Sequence, residues 1–201
     1  MLAPLPGLYT NVVVLDFKSL YPSLIRTFDI DPLNLVRPEA GQSDADPIVA
    51  PNGAAFARRK GILSEILDEL LPRREEARRA GDTVTSNAIK ILMNSFYGVL
   101  GTPACRFFDP RLANAITSFG RQMLLWCQQR IEADGLQVLY GATDSLFVET
   151  GVVDAAAARA FGETLAARLN RDLARHAAER WRVTSRLDLA FDRLYLRLCL
   201  P

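Results

Sequence analysis

The chain reads VVVLDFKSLYPS from Val12 to Ser23, and this stretch determines how its first part is organised. Four apolar residues, three of them β-branched, precede Asp16, and a polar break follows it. A short apolar run of this composition predicts a buried strand. Asp16 is therefore expected at the end of a strand, where its carboxylate is held on rigid backbone.

A second acid stands in a predicted β-hairpin. Residues 138–148 read VLYGATDSLFV, which is two β-like runs around a turn that contains glycine. The hairpin is expected over residues 136–149, with Asp144 at its tip. A lone Asp after a strand more often forms a turn or caps a helix. Two acids in these settings, with a helical motif between them, instead predict a shared metal site.

Two converging acids meet the requirements of nucleotidyl transfer. Negative charge develops on the attacking oxygen, the leaving oxygen and the phosphorus, and two divalent ions about 3.5–4 Å apart neutralise it. Magnesium prefers oxygen ligands and keeps several waters, so a few carboxylates plus substrate phosphates suffice. We therefore expect Asp16 and Asp144 to bind two Mg²⁺ ions, for which Mn²⁺ can substitute.

The segment between the two acids predicts a pair of cationic helices. Lys90, Asn94 and Tyr97 are spaced by four and three residues, so they share one helix face. An upstream helix is predicted by an apolar stripe formed by Ile62, Leu63, Ile66, Leu67, Leu70 and Leu71. It continues into Arg74 and Arg78, and both helices are expected to bind a triphosphate through their cations.

An alternative for residues 72–79 is a solvated helix surface with Glu–Arg pairs, which we prefer for Arg73 and Arg79. A phosphate loop of the GxxxxGK[ST] kind does not occur in the sequence, which excludes a P-loop NTPase.

Three segments together carry a resemblance to a known family: DFKSLYPS (16–23), KILMNSFYG (90–98) and YGATDS (140–145). In this order they resemble the three polymerase motifs of family B DNA polymerases. From about Leu8 to Pro201 the chain looks like the palm and fingers of that family, in particular of the bacterial DNA polymerase II group. The run YGVLGTPACRFFDPRLANAIT (97–117) is especially similar to that group.

The resemblance implies a role for individual residues. Asp16 and Asp144 match the two metal-binding acids of the family, and Phe17 matches a residue whose backbone carbonyl binds a metal. Tyr21 matches the tyrosine under the incoming sugar, whose ring excludes a 2′-hydroxyl and so selects deoxynucleotides. The other residues implied to bind the nucleotide are Ser19, Leu20, Arg74, Arg78, Lys90, Asn94 and Tyr97.

The chain also departs from the family at three positions. Ala142 stands where the family has the first Asp of Tyr-Gly-Asp-Thr-Asp-Ser. The lack of that Asp removes one negative charge beside the metals. Ala190 stands in a further palm strand where the related group tends to have an acid, and Ser64 replaces a usual proline. We expect an intact Asp16–Asp144 pair to bind metal more weakly than a complete site.

An α+β fold is expected, with an antiparallel palm sheet backed by helices and an inserted two-helix fingers subdomain. Residues 8–36 are expected to form the first part of the palm, 37–60 a polar, mobile loop, 61–98 the fingers, and 99–201 the second part of the palm.

A helix from Pro110 to Glu132 is predicted to bury Leu112, Ala115, Ile116, Phe119, Met123 and Cys127. Asp154 is predicted to cap a helix with the stripe Phe161, Leu165, Leu169 and Leu173. The family's exonuclease, amino-terminal and thumb domains are expected to be absent from the chain.

Composition limits the functional classes. Hydrophobic residues make up 49% and charged residues 23%, as in folded proteins. A net charge of +1 argues against tight unaided binding to a DNA duplex, because that affinity depends on phosphate neutralisation. The resemblance implies primer–template DNA and dNTPs as partners, with the missing domains or a sliding clamp in addition. Three unpatterned cysteines and the lack of a signal or membrane-spanning segment predict a cytoplasmic protein, and the resemblance implies a bacterial, nucleoid-associated one.

Three functions remain open from the sequence. The first is template-directed DNA synthesis by a core fragment that is attenuated at Ala142. A second is a non-catalytic polymerase remnant that still binds nucleotide or DNA. The third is a template-independent nucleotidyltransferase or cyclase, against which Tyr21 and the pair Tyr97-Gly98 argue.

Overall fold

The structure is a computed structural model, and it describes residues 3–41 and 44–201. Residues 42 and 43 of the predicted loop 37–60 lie outside the described residues. The helices are α1 (Leu20–Phe28), α2 (Ile62–Arg79), α3 (Thr83–Leu100), α4 (Pro110–Ala133) and α5 (Ala155–Trp181). The strands are β1 (Gly7–Phe17), β2 (Ile48–Val49), β3 (Ala55–Phe56), β4 (Gln137–Gly141), β5 (Ser145–Glu149) and β6 (Leu189–Leu200). None of the helices in these two ranges has the length and apolar character that a membrane span requires.

The chain divides into two compact units. The sheet unit comprises the residues up to Leu20 together with Gly120–Pro201, and the helical unit comprises Tyr21–Phe119. These boundaries differ from the four predicted segments, whose assignment to palm and fingers stays a prediction.

An antiparallel sheet with the strand order β4-β5-β1-β6 is the centre of the sheet unit. The predicted buried strand is β1, in which Val12, Val13 and Leu15 are fully buried. The predicted hairpin is β4 and β5, which pair from Gln137↔Glu149 to Gly141↔Leu146. A mixed fold with an antiparallel sheet and helices is therefore present, as the sequence predicted.

Helix α5 covers one face of this sheet by packing on β1 and β6. It begins at the predicted cap, where the Asp154 carboxylate accepts a hydrogen bond from the Ala157 N–H at 2.7 Å. Leu165, Leu169 and Leu173 of the predicted stripe are buried. The close approach of the helix depends on a glycine. A Cβ at Gly162 would lie 2.6 Å from Phe191 Cδ2 and 3.1 Å from Val13 Cγ1.

Two helices joined by a tight turn make up much of the helical unit. Gly81 adopts a φ of +71° in this turn, and the Asp82 side chain caps α3 by accepting from the Thr85 N–H at 2.9 Å. The α2 and α3 helices pack against each other. The prediction of two helices that turn at Gly81 and Asp82 is confirmed.

The apolar stripe that predicts α2 is only partly buried in the helix: Leu63, Leu70 and Leu71 are half-buried. Leu67 is fully buried, but Ile62 and Ile66 are 52% and 38% exposed. The buried line of α2 instead runs through Ser64, Leu67 and Ala77. Periodicity identified the helix correctly, but the surface that α2 buries is narrower than its apolar stripe.

Part of the predicted loop 37–60 is regular structure. The strands β2 and β3 pair with each other, and Ile48 and Phe56 are buried. The segment reads as a loop because polar, proline and glycine residues interrupt its short apolar runs. Of the apolar residues in its two strands, Ile48 and Phe56 are buried whereas Val49 is 51% exposed.

The long helix predicted after residue 109 is α4, and it begins at Pro110 as expected. Every member of its predicted buried face is buried: Leu112, Ala115, Ile116, Phe119, Met123 and Cys127. Within the helical unit, the Phe119 ring stacks on the Phe28 ring with centroids 3.7 Å apart.

Candidate active site

The two predicted metal-binding acids lie side by side at one end of the sheet. Asp16, near the end of β1, pairs with Ser145, the first residue of β5 and the neighbour of Asp144. The Phe17 N–H donates to the Asp144 carbonyl at 2.9 Å, which fixes the backbone of the second acid against the first. Both acidic residues are half-buried. Strand pairing thus brings together the backbones of two acidic residues that are far apart in the sequence.

The turn that carries Asp144 is closed by its own backbone. The Ala142 N–H donates to the Ser145 carbonyl at 3.0 Å, so residues 142–145 form a tight reversal between β4 and β5. Ala142 is half-buried in this turn and carries only a methyl group. Ala142, which stands in place of an acid of the family, therefore lies two residues from Asp144 in the same turn.

On its other side, Asp16 is opposite Ala190 of β6. Directly paired residues of an antiparallel sheet point to the same face. Asp16, Ser145 and Ala190 therefore share one face of the sheet, and the position beside Asp16 that an acid on β6 would fill has a methyl group.

The residues present fit a divalent cation that is completed by other ligands. Among residues 3–41 and 44–201, no group of three or more His, Cys, Asp or Glu side chains is arranged to hold a metal ion. Magnesium, however, is often bound by one or two carboxylates plus water and substrate phosphates. The adjacent Asp16 and Asp144 match that pattern.

The chain turns sharply directly after Asp16. Ser19 adopts a φ of +51°, in the left-handed region that non-glycine residues rarely occupy, and α1 starts at the next residue, Leu20. Such backbone strain is most often found at functional sites. Ser19 and Leu20, both predicted to bind nucleotide, form this transition.

In the helical unit, two predicted nucleotide-binding residues are in contact. The rings of Tyr21 on α1 and Tyr97 on α3 have centroids 4.6 Å apart and are tilted by 43°. Both side chains are half-buried. Packing thus joins residues that the sequence analysis assigned to separate motifs.

The predicted cations lie on α2 and α3. Lys90 and Asn94 are exposed on the same side of α3 as Tyr97, whereas the buried line of that helix runs through Ser86, Met93 and Leu100. Arg74 on α2 is half-buried. The exposed Arg78 pairs with Glu75 at 3.0 Å, an arrangement that the sequence analysis preferred for Arg73 and Arg79 instead. Such surface pairs contribute little energy, so this arginine remains available to a phosphate.

Sequence reasoning missed a group of polar residues beside Asp16. The Lys18 N–H donates to the Asp188 carbonyl at 2.8 Å, and Lys18 Nζ forms an ion pair with Asp188 at 2.8 Å. Asn170 on α5 binds the backbone of Leu189 through both its Oδ1 and its Nδ2. No sequence signal links Lys18 to Asp188, since 170 positions separate them.

Comparisons with known proteins show which family the chain belongs to. The family model for DNA polymerase family B matches residues 1–179. The chain is 45% identical to DNA polymerase II of Escherichia coli (strain K12), with 98% of this chain and 25% of that protein aligned. It is 34% identical to the DNA polymerase of Thermococcus gorgonarius, with 76% of this chain and 21% of that protein aligned.

A solved structure leads to the same family. The family B DNA polymerase from the hyperthermophilic archaeon Pyrobaculum calidifontis matches with a TM-score of 0.66 and 27% identity, and the match covers 99% of this chain and 25% of that one. The chain thus spans about a quarter, or less, of the length of these relatives. The resemblance to the bacterial DNA polymerase II group is confirmed, and the chain belongs to DNA polymerase family B.

Proposed function

We propose that this chain carries out template-directed DNA synthesis, in which deoxynucleotides are added to a primer 3′-hydroxyl by two-metal-ion nucleotidyl transfer. The observation that carries the proposal is the pairing of β1 with β5, which sets Asp16 beside Ser145 and ties Phe17 to Asp144. Asp16 near the end of β1 and Asp144 in the turn directly before β5 are thereby held on rigid backbone, as a metal site requires.

Family B DNA polymerases use divalent metal ions, and here we assign two Mg²⁺ ions, replaceable by Mn²⁺, to Asp16, Asp144 and the Phe17 carbonyl. When bound, the ions would neutralise charge on the attacking and leaving oxygens. The contribution of the protein is to hold Asp16 at the end of β1 and Asp144 in the adjoining turn, so that little reorganisation is needed during the reaction.

The nucleotide is assigned to the remaining predicted residues. The cations of Arg74, Arg78 and Lys90 bind the triphosphate, with Asn94 beside them on α3. Ser19 and Leu20 lie at the start of α1, where the positive end of the helix dipole favours anions. Tyr21 excludes a 2′-hydroxyl, and its contact with Tyr97 supports this role because the second ring limits the movement of the first.

The chain is divided between palm and fingers, and it acts with DNA and further protein partners. Residues 8–36 and 99–201 act as the palm, residues 61–98 as the fingers, and primer–template DNA and dNTPs are the partners. Further polymerase domains or a sliding clamp would add affinity for DNA, which a net charge of +1 does not supply. The setting is the bacterial cytoplasm, close to the nucleoid.

A non-catalytic remnant that binds nucleotide or DNA is the second candidate, and Ala142 favours it. The methyl group of Ala142 lies in the same turn as Asp144, where the family has a carboxylate. A template-independent transferase or cyclase is disfavoured, because a paired Tyr21 and Tyr97 suit selection of a deoxynucleotide.

Single-nucleotide primer extension with Mg²⁺ tests the proposal. The chain is compared with its Ala142→Asp and Asp144→Ala variants, each checked for folding by circular dichroism. Extension by the chain that is lost in Asp144→Ala supports catalysis by the present acid pair. Extension by Ala142→Asp alone makes this copy a silenced polymerase and supports the second candidate. Equal extension by the chain and by Asp144→Ala refutes the metal assignment.

A further inference from the structure

The side chain of Asn170 forms, at the start of β6, the two backbone hydrogen bonds that a neighbouring strand would form. Its Oδ1 accepts from the Leu189 N–H at 2.8 Å, and its Nδ2 donates to the Leu189 carbonyl at 2.8 Å. One side chain thus satisfies both backbone groups of one strand residue, as a partner strand does in an antiparallel ladder. β6 is an edge strand of the sheet, so Asn170 acts on the side of β6 that β1 does not occupy.

The residue that Asn170 holds lies next to the position opposite Asp16. Leu189 pairs with Phe17, and Ala190 pairs with Asp16. The preceding residue, Asp188, accepts the Lys18 N–H at 2.8 Å and binds Lys18 Nζ at 2.8 Å. A continuous set of contacts therefore runs from α5 through the start of β6 to the end of β1.

The need for this support follows from a break in strand register. The pairing of β1 with β6 shifts between Val14 and Leu15, where β6 contains one extra residue. A bulge of this kind disrupts the ladder locally and is frequent beside active sites. The pairs around Asp16 are therefore not aligned by the long ladder from Gly7 to Val14, and they depend on contacts of their own.

We propose that Asn170 is a positioning residue for the metal-binding carboxylate of Asp16. By fixing Leu189, it fixes the strand segment that pairs with Asp16 and Phe17, and so the distance between the Asp16 and Asp144 carboxylates. Metal sites require ligands held to about 0.5 Å, and residues behind the ligands supply that precision. The inference rests on the proposed function, because it takes Asp16 and Asp144 to be the metal ligands.

The test measures metal binding directly, without activity. Free Mn²⁺ is titrated by electron paramagnetic resonance against the chain, Asp144→Ala and Asn170→Ala. We expect Asn170→Ala to weaken Mn²⁺ binding by about 10-fold or more, the usual effect of removing a residue that orients a metal ligand. Asn170→Asp keeps the acceptor for the Leu189 N–H, but its second oxygen would face the Leu189 carbonyl and the Asp188 carboxylate, which lies 3.5 Å from Asn170 Nδ2. A loss at least as large as in Asn170→Ala is therefore expected.

Asn11→Gly provides a matched control in the same unit. Asn11 Nδ2 donates to the carbonyls of Val152 and Val153 at 2.8 and 2.7 Å, five residues along β1 from Asp16. Asn11 has a φ of +50°, which glycine adopts freely. The variant therefore loses similar hydrogen bonds away from the site. Its Mn²⁺ affinity should change by less than about twofold, well below the loss of about 10-fold expected for Asn170→Ala.

The outcomes separate the inference from the function on which it rests. Binding that is lost in Asp144→Ala and weakened in Asn170→Ala, but not in Asn11→Gly, supports both. Binding that is lost in Asp144→Ala but unchanged in Asn170→Ala and Asn170→Asp overturns the positioning role alone. Equal weakening in Asn11→Gly also overturns it, since general loosening would then explain the effect. If Asp144→Ala binds as the unaltered chain does, the metal site itself is misassigned and the positioning role fails with it.

Discussion

The sheet unit and the helical unit hold their candidate functional residues in different ways. In the sheet unit, Asp16 and Asp144 are fixed by backbone hydrogen bonds between strands that are buried on one face by α5. In the helical unit, Lys90 and Asn94 project from exposed positions of α3. Precise geometry suits the transfer chemistry, whereas flexible cations suffice to attract a triphosphate. The difference predicts which substitutions have large effects and which have small ones.

Removal of a carboxylate from the sheet unit is expected to have the largest effect. Asp144→Ala should reduce Mg²⁺-dependent primer extension by at least about a hundredfold, because a bound ion supplies several kcal/mol to the transition state. Single-turnover extension rates measure the loss. Glu149→Ala, a carboxylate at the other end of β5, is the control and should retain most of the activity.

A glycine in one helix of each unit is expected to respond differently to replacement by alanine. Gly162→Ala should destabilise the sheet unit by about 1–3 kcal/mol, because the new Cβ would lie 2.6 Å from Phe191 Cδ2. Gly98→Ala on α3 meets no atom within 4 Å and should stabilise its helix by about 0.5–1 kcal/mol. Chemical denaturation monitored by circular dichroism checks both values. Stabilisation by Gly162→Ala would show that α5 can move away from the sheet, contrary to the rigidity argued for this unit.

A cation of the helical unit should matter less than an acid of the sheet unit. Lys90→Ala is expected to raise the KM for dNTP by about tenfold, equivalent to about 1.4 kcal/mol, with a smaller change in kcat. Arg79→Ala is the matched control, since the sequence assigns that arginine to the solvated surface of α2. If the two variants show the same KM, the assignment of the triphosphate to Lys90 is wrong.

Acidification should have the smallest effect, confined to the sheet unit. The pKa of His176 is lowered, first by burial and then by Arg180, which outweigh the opposing effect of Glu179. The ring stacks on Trp126 at 4.7 Å and meets the edge of Trp181 at 5.4 Å. Because the folded pKa lies below the unfolded value of about 6.5, the fold favours the neutral ring. This contribution to stability is complete above pH 6.5 and is lost as the pH falls through the lower folded value.

The measurement is urea denaturation at pH 7.5 and pH 5.5, followed by tryptophan fluorescence. The two tryptophans of the chain, Trp126 and Trp181, are in the sheet unit, so the signal reports that unit alone. His176→Phe should reduce the difference in unfolding free energy between the two pH values, because the aromatic contacts remain while the titration is removed. An unchanged difference in the variant would assign the pH dependence to other groups.

Local features of the site were predictable because they depend on neighbouring residues. The apolar run before Asp16, the turn that carries Asp144 and the cap at Asp154 are each determined within a few positions of the chain. The buried face of α4 was also predicted correctly, because a wide, regular apolar stripe leaves one orientation that removes it from water.

Other features depend on distant partners and were not predictable. The stripe of α2 predicts the helix but not how much of it is buried. Of its six residues Leu67 is the one that is fully buried, because neighbouring elements decide how wide a contact a helix makes. The strands β2 and β3 have two residues each, too short to show a strand periodicity, and burial of Ile48 and Phe56 in the helical unit stabilises them.

The order of residues along the chain was enough to identify the family, most of the helices and strands, and the residue types that chemistry at the site needs. Folding in three dimensions was needed to set Asp16 beside Ser145 and opposite Ala190, and to place Asn170 against the strand next to them. Helix and strand periodicity is a property of consecutive residues, whereas register is selected among many pairings by the packing of whole faces. A one-residue slip of β5 along β1 would leave every local signal intact and turn the Asp144 hairpin to the opposite face of the sheet.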